Sequence, residues 1–523
     1  MASNIKGKRR QTITMTQENN SRPDSDKQIL DLFKHSIDAE LISLVPRTFA
    51  KENNVIPLEI DIEGNRLAVA IDNPSNFPIL NELRLTTGLQ IVPFKANKSD
   101  IQQIIVRDYP SEISLDEFSI SDNQTAGYEE SVEQTSDDSP IIKLVNSLLQ
   151  DAIDRRASDI HFDSQEKYMI VRVRIDGELR ELKRIPKNIQ PAVISRLKII
   201  SSLDITENRV PQDGRAIFKN GSSMVDLRVS ILPTIHGEKV VIRIMDRSIG
   251  IRKLEDFEFY PESLISFRNL LRQPHGIILV TGPTGSGKSS TLYAALNELN
   301  TPNVNIITVE DPIEYQLEGV NQVAVNSNIG LSFASGLRSI LRQDPNIIMV
   351  GEIRDSETAE IAIRASMTGH LVLSTIHTND SASTINRLID MGIDPFLVAN
   401  SLAGVLSQRL VRTNCSNCST RVPITNDELL FLQQYGFCPE YLFKGEGCSK
   451  CGFTGYQGRM AIQELLIVTS DVRKLITSNT TSEELKTYLV NNGMRILLKD
   501  ALNKAIDGHT TIEEVLKVAT TEM

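Results

Sequence analysis

An eight-residue stretch limits what this 523-residue chain can fold into. Residues 282–289 read Gly-Pro-Thr-Gly-Ser-Gly-Lys-Ser, preceded by the apolar run Ile277-Ile278-Leu279-Val280. The run predicts a buried strand, and the residues after it predict a helix from Ser289 to Leu299. Glycines at 282, 285 and 287 let the backbone turn so that successive N–H groups face one anion. In that arrangement Lys288 reaches the β- and γ-phosphates, and the Ser289 hydroxyl coordinates Mg²⁺. The helix start adds its positive end. The candidate ATP-binding residues are Gly282, Pro283, Thr284, Gly285, Ser286, Gly287, Lys288, Ser289 and Ser290.

From about 251 to 410, buried-strand patterns alternate with helices, which predicts an α/β fold around a parallel sheet. Such sheets bind ligands beyond the carboxyl ends of their strands. Ile347-Ile348-Met349-Val350 ends in Gly351-Glu352, so Glu352 is placed to orient the attacking water and support Mg²⁺. Most P-loop enzymes carry Asp at this point, and Gly-Glu is a variant. Ile306 to Val309 ends in Glu310-Asp311-Pro312-Ile313-Glu314. Those carboxylates either position a metal or water or only close a strand-end turn. Leu371 to Thr375 is flanked by His370 and His377, which are either structural or placed to sense the γ-phosphate or a neighbouring subunit.

The remaining chain reads as further modules, since 523 residues exceed one core. Residues 1–25 are polar and aperiodic, a disordered tail that includes Lys6, Lys8, Arg9 and Arg10. Residues 26–110 form a small domain, with a helix suggested by Ile29, Leu30, Leu32 and Phe33 and a strand by Leu67, Val69 and Ile71. Residues 111–138 are an acidic linker without Lys or Arg. Residues 139–250 read as an α+β domain. Ile141, Leu144, Leu148, Leu149 and Ala152 have helical spacing, and Val171 to Ile175 alternates into the hairpin turn Asp176-Gly177. Alternating runs at Val225 to Ile231 and Val240 to Ile244 follow. Residues 411–460 are loop-rich, and 461–523 read as helices.

Cys415-Ser-Asn-Cys418 and Cys448-Ser-Lys-Cys451 are two Cys-x-x-Cys pairs. Each pair can bend two thiolates onto one ion, and together they complete a tetrahedron, so a closed, structural zinc site is expected. Cys438 stands apart. No apolar run approaches the ~20 residues of a membrane span, and no secretory signal is present, which predicts a cytoplasmic protein. The formal net charge is −11 and aromatics are 5% of residues. A nucleic-acid motor needs a basic groove or stacking aromatics, so this balance argues against nucleic acid as a partner. A regulatory scaffold that binds ATP without turnover is disfavoured by intact Lys288, Ser289 and Glu352.

The chain resembles the secretion and pilus-assembly ATPases of type II secretion and type IV pilus systems. Four blocks carry the likeness: residues 282–289, Thr-Val-Glu-Asp-Pro-Ile-Glu at 308–314, Leu-Arg-Gln-Asp-Pro at 341–345 leading to Gly-Glu-Ile-Arg-Asp at 351–355, and Thr-Gly-His at 368–370 with His377. Upstream, Ala-Ser-Asp-Ile-His at 157–161 and Asn-Arg-Val-Pro-Gln-Asp-Gly-Arg at 208–215 resemble the family's second N-terminal domain. The resemblance implies a RecA-like P-loop core preceded by a PAS-like α+β domain and a small α/β docking domain. It also implies a tetracysteine zinc insertion and a helical C-terminus. It implies a homo-hexamer with nucleotide between the second N-terminal domain and the core, driving a type II pseudopilus or a type IV pilus. Its partners would be inner-membrane platform and docking proteins at the cytoplasmic face.

The resemblance adds Glu310, His370 and His377 to Lys288 and Glu352 as catalytic candidates. It also suggests that Arg209 or Arg215 reaches the phosphates, the alternative being local pairing with Glu207 or Asp213. Arg209 and Arg215 flank Pro211 to Gly214, a stretch that reads as a projecting turn, whereas Arg228 reads as internal to a strand. Arg338, Arg342 and Arg354 are next in line. The tetracysteine insertion and the first domain match the assembly type rather than the retraction type. Some related first domains bind cyclic di-GMP through an Arg-Leu-Gly-type motif. No such motif is found in this chain, so that ligand is not expected.

Overall fold

The computed structural model describes residues 32, 39–42, 44–61, 65–109, 139–220, 223–246, 252–478 and 480–519. The tail 1–25 and the linker 111–138 lie outside the described residues, as does the helix expected near residue 30 apart from Leu32. The chain divides into two compact units between Asp246 and Arg247, with Gly447–Thr454 counted with the first. Among the described residues no helix is long and apolar enough to cross a membrane.

The first unit contains two sheets. Strands β1 (Val55–Asp61), β2 (Arg66–Ile71) and β3 (Gln90–Lys95) pair in that order, antiparallel and then parallel. The helix Phe77–Thr87 makes the crossover that a parallel pair requires. Along β2 the expected alternation is absent: Ala68 and Ala70 are as buried as Leu67, Val69 and Ile71.

The second sheet is antiparallel and six-stranded. It is built from β4 (Asp159–Ser164), β5 (Tyr168–Ile175), β6 (Glu178–Pro186), β7 (Gln212–Asn220), β8 (Ser223–Thr234) and β9 (Gly237–Asp246) in the order β6-β5-β4-β9-β8-β7. Its core joins Ile160, Phe162, Val171, Leu227 and Val229 with Leu144 and Leu148 of the helix Pro140–Asp154. Asp176 and Gly177, with φ of 51° and 90°, form the two-residue hairpin turn read from the sequence. The projecting turn expected at Pro211 to Gly214 is not one. Gln212 to Arg215 open β7 and pair with Arg228 to Ile231 of β8. The Gln212 amide donates to the Asp204 and Glu207 carbonyls, which ties down the preceding loop.

The second unit is built on a seven-stranded sheet. Strands β10 (Gly276–Thr281), β11 (Ile306–Glu310), β12 (Asn321–Ala324), β13 (Ile347–Val350), β14 (Leu371–Ile376) and β15 (Leu402–Asn414) are parallel neighbours. β16 (Ser419–Pro423) and β17 (Tyr441–Gly445) form a separate hairpin. β18 (Tyr456–Ile467) runs antiparallel to β15 and completes the order β12-β11-β13-β14-β10-β15-β18. The stretch from 461 onward is therefore not purely helical. Met460 to Glu464 are all buried, Gln463 and Glu464 included, and so short a stretch is equally open to strand or helix until its partner is known. Glu464 is buried among these residues. Its carboxylate accepts from Ser381 N at 3.0 Å, from the Ser381 hydroxyl, and from Leu497 N at 3.2 Å. Those are the first residues of the helices Ser381–Asp390 and Leu497–Ile506.

Candidate functional site

The loop after β10 has the backbone that its glycines predict. Gly282 and Gly287 have φ of 142° and 85°, and a Cβ on Gly282 would lie 2.2 Å from the Gln408 carbonyl oxygen. Only glycine fits that approach. The helix Lys288–Leu299 follows at once, so its free N–H groups open onto the loop. The Lys288 ammonium turns back over the loop and donates to the Gly282 and Pro283 carbonyls at 2.8 and 3.1 Å. The Ser286 hydroxyl is buried and makes no hydrogen bond, while Ser289 and Ser290 are exposed. A loop of this curvature, with a lysine at its mouth, fits a polyphosphate.

The carboxyl ends of neighbouring strands meet the loop. Glu352, two residues beyond β13, pairs with Arg354 and lies 3.6 Å from His377 Nε2. Burial pushes Lys288 down to about 8, and the negative charge of Glu352 opposes that shift. Burial also lowers His377, and Lys288 lowers it further, so this ring favours the neutral form. Lys288, Glu352 and His377 thus form one electrostatic group. Glu352, Arg354, His377 and Arg387 line a cavity of about 290 Å³. Sequence reasoning missed Arg387, because nothing in its helix marks it before the fold places it there.

Two candidates stand elsewhere. The buried Glu310 carboxylate is engaged by three donors: the Tyr293 hydroxyl, Thr308 Oγ1 at 2.6 Å and Gln322 Nε2 at 3.0 Å. Burial and that carboxylate raise the Tyr293 phenol. His370 precedes β14 and His377 follows it, so a six-residue strand holds them about 20 Å apart. His370 Nδ1 contacts the Ala365 carbonyl at 2.8 Å, and its own carbonyl accepts from Gly276 at the start of β10. That is the opposite end of the sheet from the loop.

In the first unit Arg209 is paired with Glu207 by two side-chain hydrogen bonds of 3.1 and 2.8 Å. The local pairing weighed against a phosphate contact is therefore present. Arg215 is exposed on β7 and stands opposite Arg228, which stands opposite Arg243. Three arginines thus occupy one row across β7, β8 and β9. Like charges directly opposite one another are destabilising, and at the end of the row Asp159, on the next strand, pairs with Arg243 at 3.2 Å.

The four cysteines converge as their spacing predicts. Their sulfurs all lie within 4.8 Å of one another, and Cys448 and Cys451 Sγ are 3.9 Å apart. A tetrahedral ion with Zn–S of about 2.3 Å needs sulfurs roughly 3.8 Å apart. Cys448 N donates to Cys451 Sγ at 3.2 Å, which ties the second sulfur back to the start of the short turn between the two cysteines. Cys438 is exposed and apart.

The model of the type II/IV secretion system protein family matches residues 134–517. The chain belongs to this family. An MshEN domain model also matches residues 26–115. Within the type II/IV secretion family, the type IV pilus assembly ATPase PilB of Myxococcus xanthus is 42% identical over 502 residues, 93% of this chain and 88% of that protein. The type II secretion system protein E of Pectobacterium carotovorum is 49% identical over 388 residues, 74% of this chain and 77% of that protein. Among solved structures, the pilus retraction motor PilT with bound ADP matches 71% of this chain and 96% of its own at 28% identity and a TM-score of 0.50. The ATPase DotB of Legionella pneumophila, at 22% identity and TM-score 0.53, shares the fold over 72% of this chain and 95% of its own.

Proposed function

We propose that this family member is the Mg²⁺-dependent ATPase that powers assembly of a type IV pilus or a type II secretion pseudopilus. The observation that carries this is the convergence of Lys288, Glu352 and His377 on one complete phosphate loop. The loop N–H groups and Lys288 hold the nucleotide phosphates, and Ser289 is the protein ligand available to Mg²⁺. When bound, Mg²⁺ supplies charge neutralisation on the β- and γ-oxygens. Glu352 orients the attacking water, with Arg354 and His377 holding its carboxylate. Glu310, through Tyr293, Thr308 and Gln322, ties the β11 end to the helix behind the loop rather than facing water.

The phosphate loop itself brings only Lys288 and backbone N–H groups to the transition-state charge on the γ-phosphoryl oxygens. An inserted arginine commonly supplies a further cation, worth about 10³–10⁵ in turnover. The row Arg215, Arg228 and Arg243 suits this better than Arg209, because it gathers three guanidinium groups side by side, whereas Glu207 neutralises Arg209. The protein works as a homo-hexamer at the cytoplasmic face of the inner membrane. Residues 26–110 dock on membrane partners, residues 139–250 carry the arginines, and zinc on the four cysteines is structural. The test is ATP hydrolysis by the assembled full chain. Lys288→Ala is expected to abolish it, and near-normal turnover in that variant would overturn the assignment.

A further inference from the structure

The phosphate loop is braced from a strand 122 positions away in the chain. Gln408 lies on β15, one residue past Ser407, which stands opposite the last residue of β10. Its side chain is fully buried. Nε2 donates to the Ser286 carbonyl at 2.8 Å, and Oε1 accepts from Thr291 Oγ1 at 2.8 Å. Its backbone carbonyl is the atom that a Cβ on Gly282 would strike, and its Nε2 lies 2.8 Å from the position of a Cβ on Gly287. One residue therefore meets the first and last glycines of the loop, its middle and the first turn of its helix.

Peptide planarity gives this contact a consequence. The Ser286 carbonyl and the Gly287 N–H belong to one trans peptide, so they point in opposite directions. Holding the carbonyl on Gln408 turns the Gly287 N–H away from β15, outward for an anion. We infer that Gln408 is a positioning residue that preorganises the Gly287 N–H for the nucleotide phosphates. The inference rests on the nucleotide-binding reading above. Rotation of that peptide in the free loop lowers the competent fraction, and apparent affinity falls in proportion. The loss belongs to binding, because a bound phosphate re-selects the correct peptide orientation.

The experiment measures binding of a fluorescent ADP analogue and steady-state ATP hydrolysis on the full chain. Gln408→Met keeps the volume and removes both hydrogen bonds. Gln408→Glu keeps the acceptor for Thr291 and removes the donor to Ser286. Thr291→Val removes the other bond and leaves the Ser286 contact. Both Gln408 variants should weaken ADP binding and raise KM about tenfold, with kcat within about threefold, and Thr291→Val should stay within about threefold throughout. Unchanged ADP affinity in the Gln408 variants, or an equal loss in Thr291→Val, would overturn the inference. If Gln408→Met fails to fold, Gln408→Glu decides on the same criterion. Failure of the unsubstituted protein to bind ADP would instead overturn the nucleotide reading.

Discussion

If Lys288 grips the nucleotide phosphates as proposed, affinity should depend on pH in a range where most lysines stay charged. Its usual pKa is 10.5, and burial beside the loop lowers it to about 8. Polyphosphate oxygens favour the ammonium, so binding should restore the proton. With a free-state pKa of about 8, the charged fraction is roughly nine-tenths at pH 7 and roughly one-tenth at pH 9. Affinity for MgADP should therefore fall about tenfold between those values, with close to one proton taken up per site at the upper end. The stability of the free chain moves the other way. The folded pKa lies below the unfolded one, so holding the charged lysine costs stability fully below pH 8. That cost is relieved as pH rises toward 10.5. Titration calorimetry with MgADP at three pH values, in two buffers of different ionisation enthalpy, reads both affinity and proton uptake. Lys288→Arg should flatten the profile, because guanidinium stays charged throughout. Affinity independent of pH, with no proton uptake, would refute the burial argument.

Glu352→Gln should bind nucleotide within a few-fold of normal and lose most turnover, since it alters water orientation and not the phosphate cradle; equal losses in ADP affinity and kcat would contradict this. One zinc per chain is expected by elemental analysis of protein purified without chelator. Structural sites bind with roughly 10–16 kcal/mol of apparent free energy, so Cys415→Ser should lose the metal while the loop still binds ADP. Arg243→Ala and Arg215→Ala should lower kcat strongly and leave ADP affinity within about tenfold, the signature of a contact made mainly in the transition state. Arg209→Ala should cost less than either, and the reverse ranking in a verified hexamer would return Arg209 to the site.

The parts of the site legible in the sequence were those written in consecutive residues. The strand, glycines, lysine and helix of the phosphate loop lie within 23 positions, from Ile277 to Leu299. The Cys-x-x-Cys pairs likewise announce themselves. Two readings failed, and one residue went unread, because they depended on what lies between or opposite. His370 and His377 look like a pair in sequence, yet the strand between them carries them to opposite ends of the sheet. Pro211 and Gly214 look like turn punctuation, yet β8 supplies a partner that draws Gln212 onward into β7. Gln408 carries no local mark, and its role follows only from β15 lying against β10. Glu310 was correctly placed at a strand end, but its three donors come from separate segments.

The Glu464 carboxylate has a bearing on synthesis. It caps one helix that begins 83 residues before it and another that begins 33 residues after it. As the chain leaves the ribosome, the Ser381 helix is complete long before its anion exists, and its first N–H must be served by water. When Glu464 emerges it is still half-satisfied until Leu497 follows. A nascent chain ending between those two residues would hold an under-satisfied carboxylate against the core. The ATP-binding half can therefore be present in full while the sheet edge beside it stays open to water, and final closure awaits almost the whole polypeptide.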